Sequence, residues 1–143
     1  METHVESSDL WQGRVAGLLE EHGIIPTVQR VEIASLMLVE PQHLSADQVL
    51  ARSKAAGLSI SKATVYNTLG LLVEKGLVRE VIVDSSKVFY DSNTAGHYHF
   101  YNVDDGTLAD VDPGEVPIDS LPLPPEGTVA TGVDIVIRIR NRV

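Results

Sequence analysis

Apolar and polar positions follow two rhythms along this chain, helical up to about residue 77 and strand-like beyond it. In DLWQGRVAGLLEEH, Leu10, Trp11, Val15, Leu18 and Leu19 recur at helical spacing, which predicts a first helix over 9–22 that Gly23 ends. A second helix, TVQRVEIASLMLVE, takes Thr27 as N-cap and runs until Pro41 stops it, with Val28, Val31, Ile33, Ala34, Leu36, Met37 and Leu38 as its apolar surface. Ser45 with Gln48 makes a capping box for a third helix, SADQVLARSKAA, and Gly57 closes it. Ser61 then caps a fourth, in which Val65, Leu69, Leu72 and Val73 form an apolar stripe and Gly76 stands where a left-handed residue would end it. After Gly76 the pattern changes. Residues 77–83 and 88–90, rich in Val, Ile and Leu and joined by the polar DSSK, predict a β-hairpin.

Helices followed by a hairpin are the order of a winged helix-turn-helix, in which the last helix enters a DNA groove and the wing lies near the backbone. The N-terminal end of the fourth helix suits that task. Tyr66 and the Thr64 methyl can touch thymine methyl groups, Asn67 can pair with an adenine edge, and Lys62 with Ser61 can hold phosphates. Arg30, at the start of the second helix, completes the candidate DNA-contacting set. The same stripe also fits an ordinary amphipathic core helix.

SNTAG, residues 92–96, is a turn-forming linker that ends a head of residues 1–91. In the remaining 97–143, stretches 97–103 and 107–111 flank Asp104, Asp105 and Gly106 as a hairpin, and VDIVIRI predicts a further strand. Pro113, Pro117, Pro122, Pro124 and Pro125 forbid a long helix between them. So small a unit lacks a core of its own size, which predicts a dimerisation unit completed by a second copy. The fold class expected is α+β: a winged-helix domain followed by a small α/β dimerisation domain.

Composition narrows the chemistry. With no cysteine there is neither a disulfide nor a thiolate zinc site, so a metal has only nitrogen and oxygen ligands and the five histidines matter. His97 and His99 lie two apart in a predicted strand and so share one face, with Asp110 in the partner strand. Asp91 precedes the linker and His43 precedes the third helix, so ligands can come from both domains. Imidazole with carboxylate suits Fe(II), Mn(II) or Zn(II). Taken alone, the histidine pair fits metal ligands and ordinary surface or core histidines equally. His4 and His22 read as a tail and a helix-end residue, Tyr90 and Tyr101 as packing residues. The net charge of −9 is unevenly spread: residues 14–87 carry eight basic and eight acidic side chains, whereas 88–143 carry three and nine. A neutral head binds DNA with modest, salt-sensitive affinity, and dimerisation helps. Neither a signal peptide nor a membrane-length apolar run is present, so a cytoplasmic protein is expected.

Together GIIPTVQR, HLSADQVL, ATVYNTLGLLVEKGLV, the wing and HYHFY with Asp110 resemble the ferric uptake regulator (Fur) family over nearly the whole chain from about residue 14. The YDSNTAGHYHFY segment and the cysteine-free tail resemble its iron response regulator (Irr) branch. The resemblance implies a homodimer on a palindromic double-stranded operator, with a regulatory metal joining head and dimerisation domain. By position His43, His97, His99 and Asp110 match its ligands; Tyr90 aligns with the remaining acidic position, and Asp91 is its neighbour. Tyr66 matches the family's base-contacting tyrosine, while Asn67 replaces a common arginine. The branch also implies haem as effector, at His97 or His99, although the Cys-Pro haem motif is missing and His97, Tyr98, His99 stand in place of three consecutive histidines.

The expected function is therefore a non-enzymatic transcription regulator of iron and haem homeostasis, with operator affinity set by a metal ion or haem at the His/Asp site. A peroxide sensor of the same family, in which iron-catalysed oxidation marks His43 or His97, is the alternative. A small cupin-like iron oxygenase is disfavoured by the short tail and by the absence of any histidine after His99.

Overall fold

The computed structural model describes residues 3–95, 98–116 and 121–143. It divides into two compact units, Met1–Thr94 and Ala95–Val143. In the first unit α1 (Thr3–Glu21) and α2 (Val28–Leu38) precede α3 (Ala46–Ala55) and α4 (Lys62–Glu74). Their caps are local chemistry. Thr27 Oγ1 accepts the Arg30 N–H at 3.3 Å, the Ser45–Gln48 capping box closes in both directions, and Ser61 Oγ accepts the Thr64 N–H at 3.1 Å. Gly23, Gly57 and Gly76, with φ of 77°, 81° and 78°, turn the chain out of α1, α3 and α4 in a conformation that penalises any Cβ.

Leu19 of α1, Ile33 and Met37 of α2, Val49 of α3, and Val65, Leu69 and Leu72 of α4 are fully buried in one core. Each large side chain so buried stabilises the fold by roughly 1.5–3 kcal/mol. Trp11 joins its rim and donates its indole N–H to the Ser35 carbonyl at 3.1 Å. Two expectations need correction. The first helix starts at Thr3 rather than residue 9: no Gly or Pro precedes Asp9 to stop it, and only its later part carries the apolar period. Val28, expected on the apolar surface, is 75% exposed because the first helical position after the cap faces outward.

The wing is also larger than a hairpin. Strands β2 (Arg79–Asp84) and β3 (Lys87–Asp91) pair antiparallel, and β1 (His43–Ser45) adds to the other edge of β3, giving the order β1-β3-β2. β1 is three residues long, too short to show a period of two, and its partner is remote in sequence. The segment after β3 is tied to this sheet rather than loose: Ser92 donates its N–H to the Gln42 carbonyl at 3.0 Å, and its hydroxyl oxygen accepts the Gln42 N–H at 3.0 Å. Gln42 in turn donates to the Leu36 and Met37 carbonyls at 2.7 and 3.0 Å, satisfying groups left open at the end of α2.

In the second unit β4 (Tyr98–Asn102) is central, antiparallel to β5 (Leu108–Asp110) and parallel to β6 (Ile135–Ile139). A turn over residues 103–105, followed by Gly106 at φ 74°, joins β4 to β5. The crossover to β6 contains a 3₁₀ turn, Pro113–Glu115, and no α-helix among the described residues. Tyr98, Tyr101, Leu108 and Val111 are buried, whereas Leu121, Leu123, Ile137 and Ile139 stay 37–94% exposed. No described helix is long and apolar enough to cross a membrane.

Candidate functional site

Each unit sets a histidine opposite an aspartate. In the first, antiparallel register places His43 of β1 against Asp91 of β3, and one ligand-capable atom from each lies within 4.8 Å of the other. Opposed residues in such a ladder share a face, so the next pair, Leu44 and Tyr90, points to the other side, where both are buried in the helical core. The register thereby separates Asp91 from Tyr90: the aspartate stands with His43 and the tyrosine packs. Burial in that core, then Glu80, then Tyr66 raise the Tyr90 phenol above its ordinary range. Asp91 is fully buried, one oxygen accepting the Asn93 N–H at 2.8 Å, and Arg79 of β2 is its cross-strand partner on the same face.

In the second unit His99 of β4 opposes Asp110 of β5, with Nε2 3.3 Å from Oδ1. The imidazole is 1% exposed and the carboxylate 54%. Gly96 and His97 lie outside the described residues, so the expected alignment of two imidazoles on one face is not among them. The donors in hand are nitrogen and oxygen only, and they fit Fe(II), Mn(II) or Zn(II), not ions that demand thiolate. Other acids of this unit have structural partners. Asp105 accepts from the Thr107 N–H and hydroxyl at 3.0 and 2.6 Å, which holds its carboxyl below its usual range, and Asp104 accepts the Asn141 N–H at 2.8 Å.

The N-terminal end of α4, where the expected DNA-contacting residues lie, is open to solvent. Tyr66 is 46% exposed, and Ser61, Lys62 and Asn67 are exposed beside it. Ser61 and Thr64 are joined by a 3.0 Å hydroxyl–hydroxyl bond, so their oxygens are partly committed to the cap. Lys62 pairs with Asp47 of α3 at 3.3 Å and lies 5.9 Å from the Tyr66 ring centre. Arg30 stands apart on α2, its guanidinium donating to the Ile25 carbonyl at 3.0 Å. Sequence reasoning missed Asp47 and Arg79, because partners so distant in sequence carry no local signal.

The family model described as "Ferric uptake regulator family" matches residues 21–118, more than half the chain. This chain belongs to the ferric uptake regulator family. With the family goes the class: a metal-responsive transcription regulator, not an enzyme, which removes the cupin alternative. Among curated relatives, the peroxide-responsive repressor PerR of Staphylococcus epidermidis is 29% identical over 110 residues, 77% of this chain and 73% of that protein. Among solved structures, the ferric uptake regulator of Pseudomonas aeruginosa with manganese aligns at TM-score 0.66 and 23% identity, covering 89% of this chain and 97% of that one. The Vibrio cholerae ferric uptake regulator aligns at TM-score 0.70 and 20% identity, covering 88% and 98%. The architecture is thus the family's: a winged-helix head followed by an α/β dimerisation domain.

Proposed function

We propose that this protein is a homodimeric DNA-binding regulator of iron and haem homeostasis, of the iron response branch, whose operator affinity follows occupancy of one divalent-metal site. Head (1–91), linker (92–96) and dimerisation domain (97–143) divide the work. His43 and Asp91 supply the head's ligands, and His97, His99 and Asp110 those of the other domain. The observation that carries this is the repeated His–Asp cross-strand pair: each unit holds two N/O donors of matching chemistry, and neither pair alone completes a four-ligand set. A bound Fe(II), Mn(II) or Zn(II) supplies a positive centre that both pairs can ligate.

Ligation from both units fixes the angle between heads, so that two copies of α4 meet successive major grooves about 34 Å apart on a palindrome. Ser61, Lys62, Thr64, Tyr66 and Asn67, with Arg30 from α2, form the contact set. Two features support the dimer: β6 is an edge strand, and Ile137 and Ile139 on it are exposed together with Leu121 and Leu123. Haem is the other effector of the branch. The buried His99 ring offers a porphyrin no open face, which leaves that role to His97.

Calorimetric titration with Mn(II) tests the site. One ion should bind per chain, and His43→Ala or Asp110→Ala should each weaken it at least 10–100-fold, roughly the range known for outer-shell partners of metal ligands. Unchanged affinity in the His43→Ala protein rejects a shared ion. A second reading, peroxide sensing, is supported by the likeness to the staphylococcal repressors. Its signature is a gain of one oxygen on His43 or His97 after peroxide treatment of the Fe(II) protein, seen by peptide mass spectrometry.

A further inference from the structure

An acidic side chain stands among the expected DNA contacts of α4. Asp47, in the first turn of α3, lies 3.3 Å from the Nζ of Lys62, the first residue of α4, and lines a groove of about 200 Å³ together with Tyr66. Lys62 and Tyr66 are one turn apart on α4, so their side chains are neighbours, and the ammonium sits 5.9 Å from the ring centre. A carboxylate and an aromatic face thus bracket one cation. Both charged side chains are mostly exposed, at 60% and 73%, and a pair so open to water contributes little to stability. As an acid at a helix start Asp47 suits the dipole of α3, but that effect needs no lysine beside it. Before a polyanion the pair has a larger effect. A free ammonium at the start of α4 attracts the phosphates of any duplex, which adds affinity and no information about sequence. Held by Asp47, it brings almost no net charge to the duplex and stays beside the Tyr66 ring.

We propose that Asp47 is a positioning residue that sets sequence preference: it withholds the Lys62 ammonium from backbone phosphates and keeps it against the ring of Tyr66, the side chain that meets base edges. The inference rests on the DNA-contacting role given to α4 above. It reassigns Lys62 from phosphate holder to brace for Tyr66. Asp47 touches no nucleotide itself and acts through Lys62 alone. Removing its charge frees one ammonium per head for a phosphate and loosens the ring, so a duplex of arbitrary sequence gains more affinity than one chosen for its bases.

The test uses full-length protein with Mn(II) and two labelled duplexes of equal length, one enriched by selection from a random library and one scrambled, titrated from about 50 to 200 mM salt by fluorescence anisotropy. Asp47→Asn should tighten binding to the scrambled duplex, steepen its slope of log affinity against log salt by about 0.9 per head, about 1.8 for a dimer, and lower the ratio of the two affinities. Its advantage on the scrambled duplex should therefore shrink about 12-fold over that salt range. Asp47→Glu, which keeps the carboxylate, should restore the wild-type slope and ratio. In a Lys62→Gln background Asp47→Asn should change neither, because the side chain through which it acts is gone. Equal tightening of both duplexes, or the same gain with Lys62 already replaced, means a general repulsion by the carboxylate and overturns the proposal. An Asp47→Asn protein with wild-type affinities and slope overturns it too, while DNA binding by α4 stands. If the wild-type protein binds neither duplex at the lowest salt, the DNA-contacting role of α4 fails and takes that of Asp47 with it.

Discussion

His43→Ala alters the first unit alone, and if one ion is shared as proposed above the second unit must feel it too. At a free Mn(II) concentration 100 times its dissociation constant, one site stabilises whatever it is built from by about 2.7 kcal/mol. For a unit the size of Met1–Thr94, each 1 kcal/mol moves the unfolding midpoint by roughly 4–8 °C, so the expected rise is about 10–20 °C. When the ion bridges the units, Ala95–Val143 gains from the same free energy and its transition rises too. Scanning calorimetry of the wild type with and without Mn(II) should show both transitions move upward. In His43→Ala, both shifts should fall to a few degrees, although His99 and Asp110 are untouched. Should the second unit of that variant retain its full Mn(II) shift, the His99–Asp110 pair binds metal by itself and the reasoning from two incomplete sets is refuted.

Ser45→Ala removes the side chain that accepts the Gln48 N–H and releases the reciprocal bond, so urea denaturation should report a loss of about 1 kcal/mol from the first unit. Because burial raises the Tyr90 phenol above its unfolded value, the folded chain keeps that proton longer. Its contribution is complete below the unfolded pKa and is lost as pH climbs through the folded one. Tyr90→Phe should therefore flatten the decline of stability above about pH 10, and an unchanged alkaline slope in denaturant titrations would assign that decline elsewhere. Ile137→Lys places a charge on exposed β6, and sedimentation should show the dimer shifting toward monomer while the second unit stays folded. A dimer as stable as the wild type would remove β6 from the interface.

Much of the head was legible because its signals are local. The Ser45–Gln48 box, the Ser61 cap and the glycines at positions 57 and 76 act within a single turn, and the stripe of Val65, Leu69 and Leu72 repeats within one helix. What stayed hidden depends on pairing between distant residues. β1 exists only because β3 hydrogen-bonds to it, and only that register puts His43 with Asp91 while turning Tyr90 into the core. Alignment to the family pointed at Tyr90 and sequence chemistry at Asp91; one residue of strand register separates the two. In the second unit the alternation of VDIVIRI announced a strand, but its parallel match to β4 could not be read from alternation, which is the same for either direction. The Lys62–Asp47 pair belongs with these. Lys62 was visible as a charge at a helix start and Asp47 was not singled out, and their 3.3 Å approach follows only from how α3 packs against α4.

Coupling between metal and operator tests the central claim most directly. Dissociation constants for the selected duplex should be measured with Mn(II) and with chelator, for the wild type and for His43→Ala and His99→Ala. Chelation should weaken wild-type binding by about 5–150-fold, the usual span of linkage between two sites, while each variant binds DNA equally weakly with or without the ion. Wild-type affinity that does not change on chelation, or a His43→Ala protein that keeps its full response to Mn(II), would contradict the account.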